Sequence, residues 1–371
     1  MKPFLFFMDV EYVRYKPKSV LNEQKRVDGG WFWTKYSAYP YMGCCYGCEY
    51  CYWRDEKYNR LAREKPGLED AFSQYIKVKD GCVELLRKQL KGKPRDIIYI
   101  DSYQPIESKY RYARGMLEVC HELGFPVFIN EKSPLLLKDL DVLKKLSKNY
   151  LNVGWSIVFS SDDKAKKHFE SRAPSINSRF KAMKALSNNK IFTGTVVMPI
   201  LPFICDSEDN IKNLVKKTRD NGGKYVLDAG LTLWGYCRTH FYKFLRRYDP
   251  KLVSKYDKVF DKRGNQLNYK ETHELFKEYC KKYKLPNHIP KPFSKTFNDQ
   301  LTEHFYIKSR DVMMAEGMGY RQFAYLKAAW SIDSTKEDIK ELYKREGKKG
   351  LLSIRGVGEK MANEIIKFIN S

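Results

Sequence analysis

The sequence predicts an α/β protein, a partial (βα)6 barrel followed by a basic helical region and a small C-terminal helical hairpin. Between residues 31 and 233, short apolar or β-branched runs alternate with amphipathic stretches, as in repeated strand–helix units. Residues 236–330 are rich in Lys, Arg, Tyr and Phe, and a Gly-Val-Gly turn lies between apolar helical segments near the C-terminus. We therefore divide the chain into residues 1–235, 236–330 and 331–371.

The composition indicates a folded protein with a polyanionic partner. The chain has 371 residues, of which 43% are hydrophobic, enough for one large core and a smaller appendage. Lys and Arg number 69 against 45 Asp and Glu, for a net charge of +24. This excess favours nucleic acid through counterion release, and a generally basic surface is the alternative. No stretch has the pattern of a signal peptide or membrane span, so we expect no membrane partner, a cytoplasmic location and reduced cysteines.

Six runs have the composition of buried strands, and stretches with helical periodicity lie between them. Gly124, Asn189 and Gly222 sit where helix C-caps belong. Because sites in parallel βα folds lie at the carboxyl ends of the strands, the loop after the first strand is predicted to lie at the barrel mouth. The predicted strands are 31–39, 95–101, 126–131, 151–158, 191–198 and 224–233, and the predicted helices are 68–91, 107–124, 135–149, 176–190 and 207–221.

The region after the barrel changes character. Residues 234–295 hold sixteen basic and six acidic side chains, the densest positive region of the chain, in two segments with helical pattern. Residues 300–332 are predicted to be helical with a Gly-Met-Gly interruption. We expect these basic helices to hold a nucleic-acid strand.

The loop YPYMGCCYGCEYCYWR (39–54) places four cysteines within eight positions. The spacing can be read as Cys44-x3-Cys48-x2-Cys51 or as Cys45-x2-Cys48-x2-Cys51. The other five cysteines are scattered singly, so no second pair completes a zinc site. Three thiolates in a Gly-rich loop favour an iron–sulfur cluster with one iron left open to an exogenous ligand.

This loop, with Tyr50 before its third cysteine, resembles the cluster loop of radical S-adenosylmethionine (SAM) enzymes. The segments IDSYQPIE, NEKSPLLLKDLDVLKKL, FESRAPSINSRFKAMKAL and VVMPILPFICD follow in the order of the spore photoproduct lyase-like, or DNA repair photolyase-like, branch. The resemblance covers about residues 35–235. It implies a radical SAM barrel with a [4Fe-4S] cluster bound by Cys44, Cys48 and Cys51. In that family the reduced cluster cleaves SAM to a 5′-deoxyadenosyl radical, and the electron comes from a donor such as flavodoxin or ferredoxin.

The same resemblance implies the rest of a SAM pocket. Tyr50 would pack near the adenine, and Lys132 would pair with the SAM carboxylate. Asp101 and Ser102, at the end of the second predicted strand, would meet polar groups of SAM. Ser156 would hydrogen-bond to the ribose or the carboxylate.

The chain departs from the family where a hydrogen atom is returned to the substrate. Spore photoproduct lyase itself uses a cysteine just before the second-strand acid, whereas this chain reads Ile98-Tyr99-Ile100-Asp101. Spore photoproduct repair is therefore not the expected reaction. Tyr99 is the candidate donor, unless its side chain faces the core. Arg172, in a loop that resembles the family's EPRAPS, is expected to contact nucleic acid or to pair with Glu170.

The segment LLSIRGVGEKMANEIIKFI (351–369) resembles a helix-hairpin-helix motif. Gly356 and Gly358 are expected to permit the turn, amides at the start of the second helix would face a phosphate, and Arg355 and Lys360 add charge. Such hairpins bind DNA without reading its sequence, and a protein-docking hairpin is the alternative.

The sequence thus predicts a radical SAM enzyme that repairs or modifies nucleic acid, DNA in preference to RNA. An RNA-modifying enzyme and a non-catalytic iron–sulfur protein that binds nucleic acid are the alternatives.

Overall fold

The computed structural model describes residues 10–58, 60–101 and 103–370. The strands are β1 (Glu11–Tyr15), β2 (Leu21–Glu23), β3 (Tyr36–Ala38), β4 (Tyr41–Met42), β5 (Tyr75–Lys79), β6 (Ile98–Ile100), β7 (Val127–Glu131), β8 (Leu151–Ser156), β9 (Phe192–Ile200) and β10 (Val226–Gly230). The helices are α1 (Leu61–Glu64), α2 (Ala71–Gln74), α3 (Cys82–Leu90), α4 (Glu107–Tyr110), α5 (Tyr112–Leu123), α6 (Leu140–Leu146), α7 (Lys164–Phe169), α8 (Ile176–Asn188), α9 (Glu208–Asp220), α10 (Gly235–Tyr248), α11 (Lys251–Val259), α12 (Tyr269–Lys282), α13 (Phe297–Glu316), α14 (Tyr320–Ser334), α15 (Ile339–Ser353) and α16 (Glu359–Ile369).

The main sheet contains six parallel strands in chain order, β3-β6-β7-β8-β9-β10, with β2 antiparallel on one edge. Side chains alternate between its two faces. Val127 and Ile129 of β7 pack into the larger core, which contains the helices between the strands, whereas Phe128 points to the opposite, inner face. Because every connection from one parallel strand to the next carries helices, all six strand ends meet at one edge. The predicted α/β fold with six parallel strands is confirmed.

The protein has a small second sheet, whose strands β1 and β4 come before the cysteines in the chain and whose strand β5 comes after them. Its middle strand β5 pairs parallel with β1 and antiparallel with β4. The prediction of one helix over 68–91 is wrong, because β5 separates α2 from α3. In Tyr75–Lys79, Ile76 and Val78 alternate with more polar neighbours and are fully buried. This two-residue period outweighs the helical pattern on either side.

Other predicted elements differ mainly in their bounds. The first strand is only Tyr36–Ala38, and Trp33 before it has a positive φ of 57°. The predicted helix 135–149 begins with a 3-10 turn at Pro134–Asp139 before α6. The helix predicted over 107–124 is divided between α4 and α5 at Arg111, whose φ is 53°.

The inner face of the main sheet is covered by the C-terminal helices. Phe128 of β7, Val196 of β9 and Leu227 of β10 project into one buried cluster with Leu301 and Phe305 of α13. The Gly-Met-Gly interruption separates α13 from α14 as predicted, and α15 and α16 extend the same cluster. The domain boundaries after residues 235 and 330 stay predictions. None of the helices in the described ranges has the length and apolar character needed to cross a membrane.

A buried ionic network joins β10 to α12 and α13, and we call its members Asp228, Tyr269, His273 and Arg310 the staple network. Asp228 accepts hydrogen bonds from Tyr269 at 2.8 Å and from Arg310 at 2.6 Å. His273 Nδ1 lies 2.9 Å from Asp228, and His273 Nε2 lies 3.3 Å from Asp311. Burial alone would raise the pKa of Asp228, but His273 and Arg310 lower it well below its usual range. The helical region is thereby fixed to the last strand of the sheet.

Candidate active site

A cavity of about 320 Å³ lies where the strands of the main sheet end. The cysteine loop and a group of aromatic side chains form much of its wall. Parallel βα folds place their active sites at this edge of the sheet. The residues that β6 to β10 contribute at or near their carboxyl ends include Asp101, Lys132, Ser156, Pro199 and Gly230.

Three of the four clustered cysteines face this cavity. Cys44, Cys48 and Cys51 line it, whereas Cys45 is not among its described lining residues. The Cys45 amide donates to Gln104 Oε1 at 3.1 Å, and its side chain interacts with Tyr12. Of the two readings that the spacing allows, the structure favours Cys44, Cys48 and Cys51 as the group that can act together.

The three thiols are buried, and burial is the main cause of their raised pKa values. The pKa rises to about 12 for Cys48 and about 11 for Cys51, and burial together with the neighbouring cysteines raises the pKa of Cys44 well above its usual value. No group of three or more His, Cys, Asp or Glu side chains in the described ranges is arranged to hold a metal ion. Thiolates are nevertheless the donors that iron–sulfur clusters use, and coordination deprotonates a thiol. Three thiols that share one cavity fit such a cluster by donor type.

Arg54 fixes the shape of the cysteine loop. Its guanidinium donates to the carbonyl of Cys48 at 3.1 Å and to that of Gly47 at 2.8 Å, and it forms an ion pair with Asp70. Only 2% of Arg54 is exposed, so these partners replace the water that its charge has lost. The sequence does not predict this role, because nothing in its pattern distinguishes a buried arginine from a surface one.

Next to the cysteine loop lies a second buried network. We call Glu170, Arg179, Lys132 and Tyr50 the cavity network, since the last two line the cavity. Glu170 accepts a hydrogen bond from the Tyr50 hydroxyl and forms an ion pair with Arg179. Lys132 Nζ lies 3.6 Å from Glu170 and donates to Ser156 Oγ. Burial would raise the pKa of Glu170, but the charges of Arg179 and Lys132 lower it to about 2.

The structure therefore brings most of the predicted SAM-binding residues together. Tyr50, Asp101, Lys132 and Ser156 all line the cavity that the three cysteines face. Ser102 lies outside the described residues. Arg179, which holds Glu170 beneath Lys132, was not predicted, although it lies in the segment that carries the resemblance.

Tyr99 lines the cavity, and its ring also packs against the buried cluster on the inner face of the sheet. Its hydroxyl donates to Asp101 Oδ2 at 2.8 Å. Its ring centroid lies 5.7 Å from that of Tyr39 and 6.3 Å from that of Phe32. Trp53 continues this aromatic wall, with its ring 4.8 Å from that of Tyr39. Tyr99 is thus placed where a ligand in the cavity would meet it.

Arg172 lies against the cysteine loop and does not form the ion pair considered from the sequence. The charged partners of Glu170 are Arg179 and Lys132. Arg172 Nη2 instead lies 4.0 Å from Asp70. Gly47 has a φ of 57°, which favours glycine, and an added side chain would come within 2.0 Å of the same nitrogen and displace Arg172. A nucleic-acid contact of the part-exposed Arg172 stays a prediction.

The predicted hairpin joins α15 to α16. Arg355, Gly356, Gly358 and Lys360 are all exposed, and none of the four is among the described residues that line the cavity. Gly356 has a φ of 82° and needs to be glycine. The same expectation for Gly358 is wrong, because its φ is −96° and nothing lies near the position of an added side chain. Phosphate binding by this hairpin stays a prediction.

No family model matches the chain. The sequence is 31% identical over 201 residues to "Uncharacterized protein MJ0683" of Methanocaldococcus jannaschii, covering 54% of this chain and 71% of that protein. It is 27% identical over 269 residues to "Uncharacterized protein Rv2578c" of Mycobacterium tuberculosis, covering 70% of this chain and 77% of that protein. The chain belongs to the family of the Methanocaldococcus protein.

Solved structures give weaker similarities. "Native anSMEcpe with bound AdoMet" matches at 13% identity with a TM-score of 0.34, over 66% of this chain and 61% of that chain. "Structure of Cobalamin-dependent S-adenosylmethionine radical enzyme OxsB with aqua-cobalamin and S-adenosylmethionine bound" matches at 11% identity with a TM-score of 0.34, over 90% of this chain and 54% of that chain. The chain thus spans roughly half to three fifths of these solved chains. Scores this low do not establish a shared fold, so the ligands of those proteins say nothing about this one.

Proposed function

We propose that this protein is a radical SAM enzyme that binds a [4Fe-4S] cluster and SAM in its cavity and repairs or modifies bases of DNA. One observation carries the proposal. Cys44, Cys48 and Cys51, and not Cys45, face the same cavity as the polar residues at the carboxyl ends of the parallel strands. The resemblance of residues 35–235 to radical SAM enzymes supports the same assignment.

The side chains of the cavity suit the two ends of SAM. Lys132 offers a positive charge to a carboxylate, and Glu170 and Ser156 hold its ammonium group in place. Asp101 offers a carboxylate to an amino group or to ribose hydroxyls. When bound, the cluster would supply the electron that cleaves SAM to a 5′-deoxyadenosyl radical. A flavodoxin or ferredoxin is the proposed source of that electron.

The wall of the cavity suits a reactive intermediate. Phe32, Tyr39, Trp53 and Tyr99 line it, and these rings exclude water from the space beside the three cysteines. Exclusion of water prevents side reactions of a radical. The hydroxyl of Tyr99, which is held by Asp101, is the proposed donor of a hydrogen atom to the substrate.

DNA is the proposed substrate because of charge and of the C-terminal hairpin. The net charge is +24, and sixteen of the basic residues lie in 234–295. The exposed Arg355 and Lys360 stand beside the start of α16, whose amides are suited to a phosphate. To react in the cavity, a base has to be extruded from the duplex or be single-stranded.

The test is an anaerobic assay of SAM cleavage. Protein reconstituted with iron and sulfide is reduced and mixed with SAM, and 5′-deoxyadenosine is quantified with intact DNA, irradiated DNA, total RNA or no polymer. We expect Cys48→Ala to lose the cluster absorption and the product. Cys45→Ala, the matched control in the same loop, should keep both.

Each outcome has a defined meaning. Stimulation by DNA supports the proposal, whereas stimulation by RNA alone would make this an RNA-modifying enzyme. A cluster that forms without SAM binding would contradict the enzyme assignment and favour a non-catalytic iron–sulfur protein. Equal loss in Cys45→Ala would contradict the assignment of the three ligands.

A further inference from the structure

The first turns of α14 expose apolar side chains that no part of the described structure covers. Tyr320 is 90% exposed, the largest value among the exposed large apolar residues of the described ranges, and Phe323 is 46% exposed. Met318, in the turn just before α14, is 59% exposed. Leaving such rings in water has a cost, and exposed apolar groups of this kind mark interaction sites.

Basic side chains continue this surface. Lys327 lies on the same side of α14 as Tyr320 and Phe323, since a seven-residue spacing returns to the same helix face. An added side chain at Gly356 would lie 3.6 Å from Lys327, so the tip of the C-terminal hairpin packs beside this face. Lys327 and Arg355 are exposed, and in the described ranges neither forms an ion pair. Their charges are therefore available to a ligand.

We propose that the exposed face of α14 (Tyr320, Phe323 and Lys327) and the adjoining hairpin tip (Arg355 and Gly356) bind a segment of single-stranded DNA. This inference rests on the proposed function for its choice of DNA. We call these five residues the stacking surface. It has the composition of sites that bind single strands, where aromatic rings stack on bases and cations follow the backbone.

The observations favour this partner over others. In a duplex the faces of the bases are already stacked, so Tyr320 and Phe323 can stack only on bases of an unpaired strand. Lysine is depleted at the cores of protein interfaces, whereas Lys327 lies on the same helix face as the two rings. The net charge of +24 is complementary to a polyphosphate. A strand held in this way presents unpaired bases, so the cost of extruding a base from a duplex is avoided.

The test measures binding alone, by fluorescence anisotropy of labelled oligonucleotides with the cluster-loaded full chain. We expect Tyr320→Ala to weaken the binding of a single-stranded DNA 20-mer about tenfold, as loss of one stacked base implies. Binding to a duplex of the same sequence should change less than twofold. Phe203→Ala is the matched control, because Phe203 is 42% exposed and lies 5.5 Å from the ammonium of Lys255 on another surface.

The charges are tested by salt dependence. Lys327→Ala should lower the slope of log K against log salt by about 0.7, the value for one phosphate of a single strand. Lys184→Ala, which removes an exposed charge from α8, should leave the slope unchanged.

Several results would overturn the inference. These are an unchanged affinity in Tyr320→Ala, an equal loss in Phe203→Ala, an equal loss for duplex, and a loss seen with RNA but not with DNA. None of these results depends on SAM. Failure of this inference would therefore leave SAM cleavage intact, and failure of SAM cleavage would leave the binding result standing.

Discussion

Two carboxylates in this molecule are completely buried and are held by similar partners for different purposes. Glu170 and Asp228 have side chains with no exposed area, and each is paired with a buried arginine and accepts a hydrogen bond from a tyrosine hydroxyl. In the cavity network the further cation is Lys132. In the staple network it is His273.

The further cation decides what each network can do. Both nitrogens of His273 face carboxylates, so its hydrogen-bonding capacity is used within the protein. Lys132 lines the cavity and has three donors, of which Ser156 engages one, while Glu170 lies 3.6 Å from the ammonium group. The staple network is therefore closed and structural, whereas the cavity network leaves donors of Lys132 for a ligand.

Removal of either carboxylate charge should have the largest effect on stability. Glu170→Gln and Asp228→Asn each leave a buried arginine without its counter-ion, and we expect each to lower the free energy of unfolding by about 3 to 5 kcal/mol. Glu337→Gln, at an exposed pair with Arg345, should change the free energy of unfolding far less, because solvent screens that pair. Urea unfolding provides the measurement.

Affinity for SAM separates the two variants. The folded fraction of Asp228→Asn should bind SAM as the parent protein does, whereas Glu170→Gln should bind it more weakly. Equal SAM affinity in both variants would show that the cavity network plays no part in binding.

The next change removes the positive charge that Lys132 presents to the cavity. Lys132→Met should weaken SAM binding about 10- to 100-fold, as expected for a hydrogen bond to a charged group. Lys166→Met is the control, since Lys166 is more deeply buried than Lys132 but donates to the carbonyl of Ala173 and is absent from the described cavity lining. Calorimetric titration with SAM measures the difference. Similar losses in the two variants would indicate a general effect of destabilisation.

The features of the fold and of the cavity that depend on local sequence pattern could be predicted from the sequence. The strands, the cysteine loop and the residues at strand ends, including Lys132 and Ser156, follow from periodicity and from resemblance. Arg179 was missed because its partner Glu170 lies nine positions away across a loop, and a pairing with Arg172 was considered in its place. Which arginine reaches a buried carboxylate depends on the packing of α8, and a linear pattern does not contain it.

The staple network and the packing of the C-terminal helices on the sheet could not be predicted from the sequence either. Asp228, His273 and Arg310 come from three distant segments, and none of them stands in a recognisable motif. Their contacts arise only when α12 and α13 pack on the sheet. Likewise the sequence predicts a helix where β5 lies, because the strand period of β5 spans only five residues between two helical stretches.

The two networks should also differ in their dependence on pH. The pKa of His273 is raised above 6.5: burial opposes this, but Asp228 and Asp311 outweigh it. Its contribution to stability is thus fully present below pH 6.5 and is lost as the pH rises through the raised value. The pKa of Asp228 is lowered, so its contribution is present above pH 3.8 and is lost in acid. In the cavity network the pKa of Glu170 is lowered to about 2, so its contribution is lost in acid, and no histidine adds a loss near neutral pH.

The variant His273→Gln tests this difference. The free energy of unfolding of the parent protein should fall between pH 6 and pH 9 as His273 loses its proton. The free energy of unfolding of His273→Gln should fall less over the same range. A variant with the same slope as the parent would show that His273 is not charged in the folded protein.

The smallest expected effect compares the two tyrosine hydroxyls. Tyr50→Phe and Tyr269→Phe each remove one hydrogen bond to a buried carboxylate that keeps its arginine, and we expect each to cost about 1 to 2 kcal/mol of unfolding free energy. Only Tyr50→Phe should also change SAM affinity, because Tyr50 lines the cavity and its ring lies 5.6 Å from the ammonium of Lys132. Loss of SAM affinity in Tyr269→Phe would mean that the staple network is coupled to the cavity, and the two networks would then act as one unit.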